Sequence, residues 1–264
     1  MKQINYGFTT PVLTPDNFIL GGVSSLPKEV LQPDGQWDAY LPLYEPQFND
    51  NYDTNGCAVW GTENALEALM KRKFGGEWNF SERYPYIIGK VRPPGTDPHY
   101  IAEIIRKNGL IEDALLPMTP SFEDFIKPDP MAEEYLSVGR TFTETYSIGH
   151  EWVFAGDIDP VEQKEKMKEC LRYSPLGVAV WAWEEKDGKY IRPKGKFDVH
   201  WCVIYGNKEG EYWKCFDSYD HSIKPLDWDF CFFFVKRYHI EKVDKPIPST
   251  WYSGIIKWIK NLFR

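Results

Sequence analysis

Apolar positions change their spacing along this chain. Val59, Leu66, Leu69 and Met70 keep a helical spacing, and the helix they predict opens at Cys57. Just before it, residues 47–56 are rich in Asn, Asp and Gly, which favour turns. A second helix is expected to start near Pro98, with proline in its first turn, and to stop at Gly109. For a third, Asp159 supplies the cap and Pro160 the first turn, and residues 161–173 continue it until Ser174 and Pro175. Then the period shortens. Residues 177–183, 198–205, 211–216 and 230–238 are apolar and aromatic runs bounded by turns, and they read as strands. Helices in the first half and strands in the second predict an α+β fold rather than alternating βαβ units. Residues 117–150 mix prolines with uneven polarity and yield no assignment, and there is no internal repeat.

Composition narrows the function classes. The 264 residues carry 31 basic and 39 acidic side chains, a net charge of −8 that argues against a nucleic-acid-binding body. A chain this long buries about 70–75% of its unfolded surface, enough for a substantial core. The five cysteines, Cys57, Cys170, Cys202, Cys215 and Cys231, contain no C-x-x-C pair, so neither a zinc site nor a cofactor is implied. An odd count in an acidic chain fits a reducing compartment better than a disulfide framework. The N-terminus lacks the apolar stretch of a secretory signal, and no run approaches the roughly 18 apolar residues of a membrane span. These features give an expectation of a cytoplasmic protein.

The chemistry gathers around Cys57. A cysteine on the first helical turn meets the positive end of the helix dipole and unpaired N–H groups, which favour the nucleophilic thiolate. A thiolate needs a base, and the base an orienting acceptor. His200 lies within an apolar strand, and Asp217 ends the next strand, where it could stand beside His200. Gln47 and the backbone N–H of Cys57 are candidate donors to an oxyanion. The other four cysteines, on apolar faces, read as small buried hydrophobes. His99, His150, His221 and His239 lack such neighbours and read as surface or packing residues.

In this order, Gln47, Cys57, His200 and Asp217-Ser218-Tyr219 resemble the motif of the papain-like cysteine peptidases: glutamine, helix-opening cysteine, strand histidine, then Asn-Ser-Trp. Phe80-Ser81-Glu82 resembles that family's Leu-Ser-Glu. Gly95 to Gly109, followed by Leu110-Ile111, resembles its glycine loop and second helix, and helix 160–173, Pro175 and strand 177–183 fall where the family has helix, proline and Val-rich strand. The resemblance covers about residues 26–240. It implies a two-lobe fold, with a helical lobe over about 47–150 around the Cys57 helix. The antiparallel, barrel-like β lobe would span about 151–240, with an N-terminal arm at 1–46. It also implies a polypeptide or amide substrate and a Cys-His-Asp triad working through an acyl-thioester. Gly95 would let a substrate backbone pair in the cleft, and Tyr219, in place of Trp, would shield the His200–Asp217 contact from water.

The departures are specific. The gap between Gln47 and Cys57 is longer than the family's, so either a loop is inserted or Asn51, at the family's spacing, is the donor; loop insertion costs little, and Asn51 has the shorter reach. A carboxylate replaces the amide of the orienting asparagine, a change tolerated in other triads. The family's disulfide cysteines are missing, and residues 1–25 are too few for a long inhibitory pro-segment. A Cys-His-Asp acyl transferase resembling transglutaminases is one alternative. Another is a papain-fold structural or binding component of a larger assembly, such as a bacteriophage virion, with virion-associated rather than cytoplasmic location. After a linker at 241–250, residues 251–264 place Trp251, Ile255, Trp258, Ile259 and Leu262 on one stripe, with Lys257, Lys260 and Arg264 away from it. This basic amphipathic helix would dock on a membrane surface, on a partner protein or on its own domain.

Overall fold

A computed structural model describes residues 7–14, 17–20, 26–127, 132–220 and 223–243. The helices are α1 (Cys57–Phe74), α2 (Arg83–Ile88), α3 (Pro98–Asn108), α4 (Phe122–Phe125), α5 (Glu133–Thr145) and α6 (Pro160–Leu171). The strands are β1 (Tyr146–Ala155), β2 (Leu176–Val180), β3 (Glu185–Lys186), β4 (Lys189–Tyr190), β5 (His200–Lys208), β6 (Tyr212–Phe216), β7 (Lys224–Asp227) and β8 (Phe234–Lys242). They form one sheet in the order β1-β8-β2-β5-β6-β7-β4-β3, antiparallel except where β4 meets β7. The architecture is α+β, with the cysteine-bearing helix at its centre. Among the described residues, no helix is long and apolar enough to cross a membrane.

Local signals set the helices. The Asp97 carboxylate accepts from the His99 N–H at 2.7 Å, Pro98 opens α3, and its inner face buries Ile101, Ala102 and Ile105 at helical spacing. Asp159 caps α6 through the Val161 and Glu162 N–H groups. Every residue of β2 is buried, as expected of a strand flanked by β5 and β8. α1 packs on β5 and β8. The approach is close at Gly61, one turn beyond Cys57, where a Cβ would stand 2.7 Å from Cδ1 of Trp201.

β1 is a strand the sequence pattern did not show. Its buried side chains include His150 and Glu151, which interrupt the apolar alternation. Tertiary pairing compensates: Glu151 sits opposite Arg237 in the β1–β8 register and accepts from its Nε at 2.5 Å, both side chains fully buried. Arg237 also donates to the carbonyls of Leu26 and Pro27, tying the N-terminal segment to the sheet. Glu241 and Lys242 belong to β8 rather than to a linker. Residues 244–250 of the expected linker, the 251–264 stripe and His221 lie outside the described residues.

The helical part encloses an unusual set of carboxyls. Glu63 and Glu67, one turn apart on α1, are buried with Glu82, and Glu45 and Asp113 interact with them electrostatically. Glu67 accepts from the Phe80 N–H at 2.7 Å and Glu45 from the Asn79 amide at 3.1 Å, but among the described residues neither oxygen of Glu63 has a hydrogen-bond partner. Burial, with the neighbouring carboxyls adding to it, pushes Glu63, Glu67 and Glu82 well above the usual carboxylate range. A carboxyl raised in the folded state stabilises the fold below its unfolded value of about 4.3. That contribution disappears as pH rises through the folded value. Glu63→Leu is therefore expected to stabilise the protein at pH 8 by about 1–3 kcal/mol and by less at pH 5. Urea denaturation at the two pH values measures this; a loss of stability at both would contradict it.

Candidate active site

The turn before α1 accounts for the long gap between Gln47 and Cys57. Residues 48 and 53 form an antiparallel bridge, and the Asn49 N–H donates to the Tyr52 carbonyl. The excursion closes at once: the N–H and the hydroxyl of Thr54 both donate to the Gln47 carbonyl, at 3.1 and 2.8 Å. The Thr54 hydroxyl oxygen in turn accepts from the Gly56 N–H at 3.0 Å. A small hairpin thus returns the chain to Gln47 just before the helix. The Asn51 amide donates to the Pro120 carbonyl and is directed away from this site.

Gln47 is buried and fixed to the segment after β6. Its N–H donates to the Ser218 carbonyl at 3.1 Å, and its Oε1 accepts from the Ser218 hydroxyl at 2.8 Å. Its Nε2 donates to Asp53 Oδ1 at 3.1 Å and to the Tyr219 hydroxyl at 3.0 Å, and that hydroxyl donates to the other oxygen of Asp53. The side-chain amide proposed for an oxyanion is therefore engaged by a carboxylate and a phenol in this arrangement.

β5 begins at His200, opposite Val180 of β2. Its Nε2 lies 2.6 Å from Asp217 Oδ1, and both residues are fully buried. Tyr219 stands edge-on to the imidazole at 5.4 Å between ring centroids. Trp183, which the sequence reading did not single out, closes another side at 5.8 Å. Nor did it single out Lys224, at the start of β7: its Nζ is 3.0 Å from Asp217 Oδ2 and 2.5 Å from Asp220 Oδ2. Burial alone would push the Asp217 carboxyl up. The charges of His200 and Lys224 overcome that and hold it down at about 2.

Cys57 opens α1 beside this unit. The backbone amides of Trp201, next to His200, and of Ala58 reach its sulfur and favour the thiolate. Burial is the larger influence. The thiol is fully inaccessible, and desolvation, with Asp217 and Asp53 adding like-charge repulsion, pushes it well above the ordinary cysteine range. The helix-terminus argument is overturned in this state, because a dipole effect of about 1 kcal/mol cannot outweigh full desolvation. Cys170, Cys202 and Cys215 are buried as expected, whereas Cys231 is exposed.

The N-terminal arm packs into the same buried cluster as Cys57. Phe8 packs in one cluster with Cys57, Trp152, Ala179 and Trp201, its ring stacked on Trp201 at 6.1 Å and tilted against Phe234. Backbone bonds hold it on both sides: the Thr96 N–H donates to the Gly7 carbonyl, the Thr9 N–H to the Thr96 carbonyl, and the Phe8 N–H to the Val199 carbonyl. Gly95 allows this approach. Its φ is +119°, and a Cβ would stand 1.9 Å from the Gly7 oxygen. In this structure the chain's own arm pairs beside Gly95, through Thr96.

With helix-borne cysteine, strand-borne histidine and strand-end aspartate in one place, the architecture is that of papain-like folds. Solved structures share it. Procathepsin L 3 of the Tenebrio molitor larval midgut matches with a TM-score of 0.58 at 14% identity, over 89% of this chain and 76% of that one. The Amb a 11 cysteine protease, a major ragweed pollen allergen, matches in its proform with a TM-score of 0.59 at 15% identity, over 87% of this chain and 63% of that one. A second structure of that proform gives 0.59 at 16% identity, over 83% of this chain and 68% of that one. No protein-family model and no curated protein matches the chain. At this identity the likeness establishes the fold.

Proposed function

We propose that the protein is a thiol hydrolase acting on polypeptide or amide bonds. The observation that carries this reading is the fully buried 2.6 Å contact of His200 with Asp217 beside the helix-opening Cys57. In the proposed reaction the Cys57 sulfur bonds to the substrate carbonyl carbon while its proton passes to His200. The tetrahedral oxyanion is met by the Cys57 backbone N–H and by the Gln47 amide, which exchanges its Asp53 contact for the substrate. The C–N bond then breaks, and the amine leaves with the proton from His200. Water, deprotonated by His200, hydrolyses the thioester and restores the thiol. Asp217 orients the imidazole throughout.

Because the sulfur is fully buried and Phe8 packs in its cluster, the proposed turnover requires the arm to leave the cleft. The test is therefore made in a full-length Phe8→Ala chain, offered a peptide library with and without added amine acceptors. The reading expects peptide cleavage that Cys57→Ser in the same background eliminates. Incorporation of the amine without hydrolysis would mark a transferase instead. Cleavage surviving Cys57→Ser would reject the nucleophile.

A further inference from the structure

Lys224 is an anomaly at this site. A lysine is seldom buried unless it is paired, and this one is 2% exposed on β7, opposite Cys215 in the β6–β7 register. Its ammonium lies 3.0 Å from Asp217 Oδ2, an ion contact outside hydrogen-bond alignment, and is bonded to Asp220. The Trp183 ring, which also walls His200, covers it at 5.4 Å from the centroid. Tyr44, from the segment before Gln47, and Cys202 on β5 also face the pair, with Cys57 of α1 beyond Asp217. Burial pushes up Tyr44, to about 12, and both thiols, so all three are neutral near pH 7. The local fixed charges are therefore Lys224 against Asp217 and Asp220.

We propose that Lys224 is a positioning residue of the Cys57–His200–Asp217 unit, standing against the second oxygen of Asp217 and offsetting its charge. Asp217 then presents His200 with one acceptor oxygen on a group whose charge is partly offset, closer to what an orienting amide would present. A lone buried carboxylate would hold the imidazolium more tightly and so raise the pH at which the base gives up its proton. This proposal rests on the catalytic reading above but is tested apart from turnover.

The imidazole of His200 is followed by NMR through a pH titration of the full-length protein, the Lys224→Met variant and the Lys224→Arg variant. Without the neighbouring cation, the pH at which the imidazole loses its proton is expected to rise by about one unit or more, and arginine is expected to restore it. A stability cycle with Asp217→Asn gives the second readout. Lys224→Met leaves the buried Asp217 carboxylate without its cation, and Asp217→Asn leaves the buried ammonium with only the half-exposed Asp220, so Asp217→Asn in the Lys224→Met background is expected to be better folded than either single variant. An unshifted titration with additive stability losses would reduce Lys224 to a packing residue and overturn the proposal. An inert Cys57 with a shifted titration would instead reject the hydrolase reading and leave the role of Lys224 standing.

Discussion

Phe8→Ala in the full-length chain is expected to raise the rate at which iodoacetamide alkylates Cys57 by roughly a hundredfold. The phenyl ring fills the space between Cys57, Trp201, Trp152 and Phe234, where its removal costs the seated arm about 3 kcal/mol. Three backbone hydrogen bonds remain, so the arm still binds, but the balance between seated and open states moves by that amount, and each 1.4 kcal/mol is tenfold. Opening also returns water to the sulfur, removing the desolvation that now holds it as a thiol and leaving the Trp201 and Ala58 amides to favour thiolate. Exposed Cys231 serves as the internal control and should label at an unchanged rate. Equal labelling of Cys57 in the two proteins would show that the arm does not gate the nucleophile.

The second large effect is on turnover. In the Phe8→Ala background, His200→Ala is expected to lower peptide hydrolysis on the order of a thousandfold or more, since nucleophile and base act as a unit. Asp217→Ala should cost less in rate, because an imidazole held edge-on by Trp183 and Tyr219 keeps part of its orientation. It should cost more in stability, because it strands Lys224 without its buried partner. Steady-state kinetics beside thermal melts separates the two. A His200→Ala chain that still hydrolyses peptides at near the parental rate would remove His200 from the mechanism.

Much of the architecture could be read from local pattern. α3 and α6 begin at their capping aspartates and N1 prolines, and β2, β5, β6 and β8 fall within or beside the apolar runs, with ends shifted by a few residues. β1 was hidden because its polarity is resolved by a partner 86 residues away: Glu151 reads as surface until Arg237 is placed against it. The short strands β3, β4 and β7 gave no apolar run to detect. The candidate site divides in the same way. Cys57, His200 and Asp217 could be picked out by residue type and order, and the structure brings the last two into direct contact. Trp183 and Lys224 could not, since neither carries a local signal and each acquires its place only through the fold.

The helix-opening cysteine shows where sequence ends and tertiary structure begins. The sequence alone determined that Cys57 would start a helix after a turn, with a histidine strand and an aspartate following in order, because turn and helix preferences are local and period is set by burial of one face. Only the tertiary structure decided the state of its sulfur. The arm that packs Phe8 into the Cys57 cluster, the bonds that tie Gln47 to Ser218 and Tyr219, and the Glu151–Arg237 pair all join residues distant in sequence. Their energies come from desolvation and charge pairing in a shared interior, and no local pattern records those. A dipole at a helix end favours the thiolate, but full burial beneath the chain's own arm keeps it a thiol.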